Sequence, residues 1–293
     1  MNAADMHALV DTLDGLAEAT WDKVLRGPAR GMKFGEESLT DHNLFELDRA
    51  CPAVEVYKFD HPAEALNGAD FEWYIGGGIQ GWVGLRFQAK KLDDGAYAEL
   101  GHRVVGERQY DLLLRLAAAD DMWPFYCFYN GWDGPWPSGV VNATCPVNES
   151  PRAGKAGGCI HAALEHFGCA IAPAHQVAAR HRSPVRRGRL ELDDYLARSR
   201  PWSHLFRRDG SACDVMPSRK IATALEEQLA SWSGPPRPDD EDGALDDVLE
   251  LPDPPRPGRH AELPAWLAAV RRGEPSEGAY RPKVAVIVDV ERS

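Results

Sequence analysis

Two short segments of the chain carry acid, amide and lysine side chains at a spacing that could bind a metal ion and a phosphate. Asp70 and Glu72 are two residues apart in the first segment, and Gln88 and Lys90 are two apart in the second. Residues two apart in a β-strand point to the same face. If the Gly-rich turn at 76–81 joins the segments as a hairpin, Gln88 and Lys90 can face Asp70. The acid and the amide oxygen could then hold a divalent cation, while the ammonium orients water and stabilises charge on a phosphate.

The same residues also have a purely structural explanation. Apolar and polar residues alternate in both segments, which is typical of strands with one solvated face. A cross-strand pair of Asp70 and Lys90 on such a face contributes at most about 1 kcal/mol and needs no ligand. This explanation accounts for Lys90, but less well for an amide, Gln88, two residues earlier at the end of an apolar strand. Both interpretations stay open on these residues alone.

The hairpin resembles the PD-(D/E)XK nuclease superfamily, in the branch with Gln in place of the second acid, as in Mrr-like restriction enzymes. The match is Asp70 followed by Gln88-Ala89-Lys90. The region around residues 30–130 also resembles a bacterial family with an EE-[ST]-x-TD segment, a GADFEW hairpin and a FQAKK strand, whose members are suspected parts of anti-phage defence. The resemblance therefore implies a restriction-like endonuclease.

That resemblance implies roles for each residue of the hairpin motif. Asp70 would be the principal ligand of Mg²⁺ or Mn²⁺, Gln88 would offer an amide oxygen, and Lys90 would position and activate water. The substrate implied is DNA rather than RNA. Because Gln88 is neutral and binds Mg²⁺ less well than a carboxylate, a non-catalytic module that binds nucleic acid or protein on the same fold is the alternative.

A predicted helix over residues 35–48 precedes the hairpin and begins with two acids. Leu44 and Leu47 lie on the helix face that carries Glu37. The nuclease resemblance implies that a glutamate from such a helix completes the metal site, with Glu37 the better candidate and Glu36 the next. The alternative is that both acids only stabilise the helix N-terminus through its dipole.

The order of predicted elements indicates an α/β fold. Alternation predicts a strand over 54–59, an apolar stripe predicts a helix over 107–119, and composition predicts a buried strand over 123–129. With the hairpin, this order fits a restriction-endonuclease-like mixed β-sheet flanked by helices, followed by a helical and irregular C-terminal extension. Gln109 follows Lys90 at a distance where the helix could bring a further polar group to the site.

Four segments are predicted along the chain. Residues 1–130 form the nuclease-like core, and residues 131–233 form an irregular and helical extension packed on it. Residues 234–262 are acidic and Pro-rich, which is typical of a linker. Residues 263–293 form a final helix and strand. A buried strand over 284–290 suggests that the tail docks onto a sheet or onto a partner.

The formal net charge of −12 argues against nucleic-acid binding over the whole surface, but not against a local basic patch. One arginine cluster is dense enough to contact phosphates. The alternative is a solvated face that pairs with the many acids of the chain. The candidate nucleic-acid-binding residues are Arg180, Arg182, Arg186, Arg187 and Arg189.

Four cysteine and histidine residues are clustered, but their spacing does not predict zinc. The pattern from Cys159 through His161 and His166 to Cys169 is not a usual structural zinc pattern. A helix with cysteines packed at its ends explains the segment more simply. Cytosolic thiols are normally reduced, so a disulfide scaffold is not expected either.

The sequence predicts a cytoplasmic protein with no membrane association. The chain has no apolar run of about 18 residues, and its N-terminus lacks the basic and apolar regions of a secretion signal. The expected partner is nucleic acid. The sequence leaves open whether the chain also forms a homo-oligomer or binds a partner protein of a defence system.

Overall fold

A computed structural model describes residues 1–59, 69–104, 106–134, 164–182, 191–196, 198–208, 214–233, 257–274 and 282–292. It confirms the α/β class, with a mixed sheet between helices. The helices are α1 (Ala3–Arg26), α2 (Glu36–Ala50), α3 (Gln109–Ala119), α4 (Ala174–Arg182), α5 (Leu192–Leu196), α6 (Ile221–Trp232) and α7 (Ala265–Arg271). The strands are β1 (Val54–Lys58), β2 (Phe71–Gly77), β3 (Gly81–Asp93), β4 (Ala96–Tyr97), β5 (Arg103–Val104), β6 (Glu107–Arg108), β7 (Trp123–Tyr129), β8 (Cys169–Pro173), β9 (Arg200–Pro201) and β10 (Val284–Asp289).

Within the described ranges the main sheet has eight strands in the order β1-β10-β2-β3-β7-β8-β9, and β4 pairs with the end of β3. The hairpin strands β2 and β3 are antiparallel, and β3 runs parallel to β7. A parallel pair needs a crossover, and α3 supplies it between these two strands. The predicted series of hairpin, helix and strand therefore forms the centre of the sheet.

The C-terminal strand β10 lies inside the sheet rather than at its edge. Val286 pairs with Val56 of β1 on one side and with Trp73 of β2 on the other. The tail thus docks onto the sheet, which is the first of the two outcomes that the sequence left open. Strands from the predicted core, from the extension and from the C-terminal segment all belong to one sheet.

Helices cover both faces of the sheet at the hairpin, so every residue of β2 is buried. On one face Trp73 packs against Trp202, whose indole N–H donates to the Leu13 carbonyl of α1 (2.7 Å). On the other face Tyr74 packs in a cluster with Ala117 of α3 and Leu267 of α7. Among the helices described, none is long and apolar enough to cross a membrane.

The hairpin reverses where the Gly-rich segment was predicted to turn. Gly76 has φ = 155°, and a Cβ at this position would lie 2.0 Å from the carbonyl oxygen of Gly81. Only glycine tolerates both conditions without displacing the opposite strand. The turn fixes the register in which Phe71 pairs with Phe87, and that register brings Asp70 opposite Gln88.

The polar face of the hairpin is not solvated. Glu72 and Arg86 pair across the two strands at 2.6 Å, and each side chain is 1 % exposed. The Tyr74 hydroxyl donates to Glu72 (2.7 Å), and Arg86 also pairs with Asp120 (2.7 Å). The central part of this face is therefore a buried polar network, and the residues left for chemistry lie at the end of the hairpin.

Candidate functional site

Asp70 lies just before β2, where the hairpin ladder ends. Its backbone N–H donates to the Phe87 carbonyl (2.8 Å). Its Oδ2 accepts hydrogen bonds from Nε2 of Gln88 (2.5 Å) and from the backbone N–H of Ala89 (2.7 Å). Hydrogen bonds to a carboxylate are stronger than neutral ones. Two of them on a single oxygen hold the Asp70 side chain against β3, as the predicted contact with Gln88 requires. The predicted cross-strand ion pair between Asp70 and Lys90 does not form.

Gln88 connects Asp70 to helix α3. Its side chain is 4 % exposed, and its Oε1 accepts a hydrogen bond from Nε2 of Gln109 (2.7 Å). Gln109 is the first residue of α3, which the crossover between β3 and β7 places over the hairpin. The structure therefore brings Asp70, Gln88 and Gln109 into one hydrogen-bonded chain. The helical polar group that the sequence suggested is in contact with the site.

Lys90 is largely buried, and no described residue serves as its counter-ion. It is 5 % exposed, and its ammonium makes no ion pair or hydrogen bond with any residue in the described ranges. Buried lysines are rare unless they are paired, because desolvation of an ammonium is costly. Lys90 lies on the same strand face as Gln88, two residues further along β3. An unpaired cation in such surroundings attracts an anion strongly.

The two acids at the start of α2 contact different neighbours. Oε1 of Glu36 accepts a hydrogen bond from the backbone N–H of Lys91 on β3 (2.9 Å). Glu37 is 60 % exposed and pairs with Lys283 (3.0 Å), and this hydrogen bond lowers the pKa of the carboxyl. Successive residues of a helix point about 100° apart, so one acid reaches β3 while the other turns away. Glu36, which the sequence ranked second, is the acid next to the hairpin.

Sequence reasoning missed a tyrosine beside Gln88. Tyr126 of β7 is paired in register with Gln88, and burial, followed by the neighbouring Tyr110, raises its pKa. Its hydroxyl is buried and has no hydrogen-bond partner among the described residues, and the same holds for the hydroxyl of Tyr110. The sequence showed Tyr126 only as part of a buried strand. Its place beside Gln88 depends on the register of a parallel pair, which no local pattern reveals.

The side chains at this end of the hairpin include ligand types that can bind a divalent cation, but their arrangement in this structure does not form a cation site. Asp70 and Glu36 supply carboxylates, and Gln88 supplies an amide oxygen, which are the ligands that Mg²⁺ and Mn²⁺ prefer. In this structure, however, Gln88 directs its amide nitrogen to Asp70 and its oxygen to Gln109. No group of three His, Cys, Asp or Glu side chains within the described ranges is placed to hold a metal ion. The orientation of Gln88 therefore decides whether its oxygen is available as a ligand.

Comparison with protein families gives a match over residues 9–293, to a family of unknown function, DUF6615. The chain belongs to this family. No curated protein and no solved structure matches it. Since the match includes α2, the β2–β3 hairpin, α3 and β10, every element that forms the candidate site lies within the DUF6615 region.

Two residues of the predicted arginine cluster lie on α4 of this DUF6615 protein, and both are paired. Arg180 pairs with Asp194 at 3.1 Å and is largely buried. Arg182 pairs with Asp111 and lies over the ring of Tyr110, 4.9 Å from its centroid. Arg182 is the more exposed of the two and sits beside the first turn of α3. The remaining predicted residues, Arg186, Arg187 and Arg189, lie outside the described ranges.

The cluster that the sequence weighed as a zinc site is only partly described. Cys159 and His161 lie outside the described residues. His166 is buried and its Nε2 lies 3.1 Å from Oε1 of Glu18 on α1. Cys169 begins β8, where its thiol contacts Thr20, and burial raises the pKa of this thiol to about 12. The two described members thus pack against α1 through side-chain contacts of their own.

Proposed function

We propose that this chain is a metal-dependent nuclease that hydrolyses phosphodiester bonds, with DNA as the preferred substrate. The observation that carries the proposal is that Lys90 is largely buried with no counter-ion in the part of the chain that the structure describes, two residues from the amide that holds Asp70. A largely buried cation with no carboxylate partner among the described residues can attract an anionic substrate. The resemblance described above supports DNA, and it supports a place in cytoplasmic anti-phage defence.

Each side chain of the site would have a separate role in hydrolysis. Asp70 would be the principal ligand of Mg²⁺ or Mn²⁺, with Glu36 and Oε1 of Gln88 as further oxygen ligands. An ion held by these residues would supply Lewis acidity toward the phosphate and the attacking water. Lys90 would orient that water and stabilise charge on the phosphate oxygens.

Incubation of the purified chain with double-stranded DNA, single-stranded DNA and RNA tests the proposal directly. We expect cleavage in Mg²⁺ or Mn²⁺ and none in EDTA. A Lys90→Ala preparation made in the same way controls for a contaminating nuclease. If the folded chain cuts none of the three substrates with either metal, or if the Lys90→Ala preparation cuts equally well, the nuclease proposal is rejected.

A second candidate is a non-catalytic module that binds nucleic acid or protein. One observation favours it: Oδ2 of Asp70 already accepts two hydrogen bonds, and the amide oxygen of Gln88 is taken by Gln109. The hydrogen-bonding groups of this network already have partners within the protein. Such a network can therefore stabilise the fold of a chain that does not bind a metal ion. Binding of DNA that is unaffected by EDTA, without cleavage, would identify this function.

The contacts of α2 give a prediction with a matched control. Glu36→Gln should lower the cleavage rate about 10-fold or more, because supporting groups of a metal site typically contribute that much. Glu37→Gln should stay within about twofold of the wild-type rate, since it removes an exposed pair with Lys283. Initial rates at fixed Mg²⁺ concentration measure both. If Glu37→Gln lowers the cleavage rate more than Glu36→Gln does, Glu37 rather than Glu36 is the acid that acts in the site.

The arginine cluster remains a predicted contact with nucleic acid. Replacing Arg186, Arg187 and Arg189 together with Ala should weaken DNA binding and reduce the slope of log affinity against log salt, by nearly one for each phosphate that the three arginines neutralise. Arg49→Ala is the control, because Arg49 is an exposed arginine of α2 that pairs with Glu46. Fluorescence anisotropy over a salt series measures the slope. An unchanged slope in the triple variant means that the cluster does not face the nucleic acid.

A further inference from the structure

The start of helix α3 gathers basic side chains around the ring of Tyr110. The guanidinium carbon of Arg182 lies 4.9 Å from the centroid of this ring, and that of Arg108 lies 5.9 Å from it. The imidazole of His181 packs against the same ring, with 5.6 Å between the two ring centroids. Burial, followed by the charge of Arg108, lowers the pKa of His181, so this imidazole is neutral at pH 7. The two arginines therefore supply the positive charge of the cluster.

The two arginines differ in how their charge is balanced. Arg182 pairs with Asp111 in the first turn of α3. Arg108 is partly exposed and makes no ion pair with any described residue. The hydrogen bond that its guanidinium makes to a described residue is a long one, to the Gly101 carbonyl (3.5 Å). The formal net charge of the chain is −12, so acids are abundant, and an arginine left without one keeps its donors for a ligand.

This cluster adjoins Lys90 at the end of the hairpin. Gln109, the residue after Arg108, donates to Oε1 of Gln88 (2.7 Å), and Gln88 lies on the sheet face that carries Lys90. Lys90 is 5 % exposed and has no counter-ion in the described ranges. No side chain caps the first turn of α3, so the backbone N–H groups of that turn add to the positive potential. Two cations without acidic partners therefore lie on either side of one helix start.

We propose that Arg108 and Arg182 bind a phosphate of the DNA backbone, next to the phosphate that Lys90 contacts in the proposed function. The planar N–H groups of a guanidinium match phosphate oxygens in a bidentate manner. Arg182 would exchange Asp111 for the phosphate, and this exchange costs little because both side chains of the pair are partly exposed, 44 % and 32 %. The inference rests on the proposed function only for its choice of nucleic acid as the ligand.

Fluorescence anisotropy of a short labelled DNA duplex in EDTA measures binding without cleavage. We expect Arg108→Ala to bind about tenfold more weakly, the loss of one charge-assisted contact. The slope of log affinity against log salt should flatten by about 0.9, the value for one phosphate of duplex DNA. Asp111→Asn should instead bind about fivefold more tightly, because it releases Arg182 and removes a charge that repels phosphate. Damage to the fold does not explain a gain of affinity.

The exposed pair of Asp22 and Arg26 on α1 supplies matched controls. Arg26→Ala and Asp22→Asn make the same changes of net charge on a different helix, so we expect each to stay within about twofold of the wild-type affinity. If Arg26→Ala weakens binding as much as Arg108→Ala does, only the net charge matters and the inference is rejected. Wild-type affinity and slope in Arg108→Ala also reject it, and no gain in Asp111→Asn rejects the contact with Arg182.

Binding and cleavage assays distinguish failure of this inference from failure of the proposed function. If the chain cuts DNA while Arg108→Ala binds and cuts as the wild type does, the inference alone is wrong. If Arg108 and Asp111 have the expected effects on binding but the chain cuts no substrate, the inference stands and the nuclease proposal is rejected. Absence of DNA binding by the wild type in EDTA at low salt overturns the inference.

Discussion

Replacing Lys90 with Met should abolish cleavage without lowering the stability of the fold. Loss of one charge-stabilising donor in an active site typically lowers the rate 100-fold or more, so we expect at least about 100-fold. Methionine has a similar length and fills the same buried space without a charge. Because Lys90 makes no ion pair with a described residue, its removal leaves no buried carboxylate behind. Initial cleavage rates and urea unfolding measure the two effects.

The neighbouring lysine provides the matched control. Lys91 belongs to the same strand but points to the other face, and its ammonium lies 3.8 Å from Asp93. Lys91→Met leaves the backbone N–H that donates to Glu36 in place. We expect its cleavage rate to stay within about twofold of the wild type. Cleavage at the wild-type rate by Lys90→Met, or an equal loss in both variants, contradicts the role assigned to Lys90.

Glu72→Ala should produce the largest loss of stability on the polar face of the hairpin. It leaves Arg86, which is 1 % exposed, without its closest carboxylate. Removal of one partner of a buried ion pair costs about 3–5 kcal/mol, and the remaining pair with Asp120 places the expected value at the lower end, near 3 kcal/mol. Urea unfolding gives the change in the free energy of unfolding directly.

Two further variants separate the effect of burial from the effect of charge. Glu46→Ala breaks an exposed pair with Arg49 on α2 and should cost about 0.5 kcal/mol or less. Glu72→Leu combined with Arg86→Met removes both buried charges, so its cost should be smaller than the sum of the single substitutions. A loss below about 1 kcal/mol for Glu72→Ala would mean that water reaches this pair.

The sequence by itself determined the elements and the hairpin contact. The predicted helix over 35–48 is α2, the helix over 107–119 contains α3, and the strands over 54–59 and 123–129 contain β1 and β7. These elements depend on side-chain periodicity and on turn residues, which are local properties. The contact of Asp70 with Gln88 was also accessible, because a hairpin pairs segments that are close in sequence and its glycines fix the register.

Only the tertiary structure decided which polar groups meet at the end of the hairpin. Periodicity could not choose between Glu36 and Glu37, because the choice depends on how α2 is rotated against β3. Gln109 and Tyr126 reach Gln88 through a crossover and a parallel register, which are long-range features. The burial of Lys90 likewise depends on elements packed over both faces of the sheet. Such packing is set by the summed contacts of distant segments, and no local pattern in the chain encodes it.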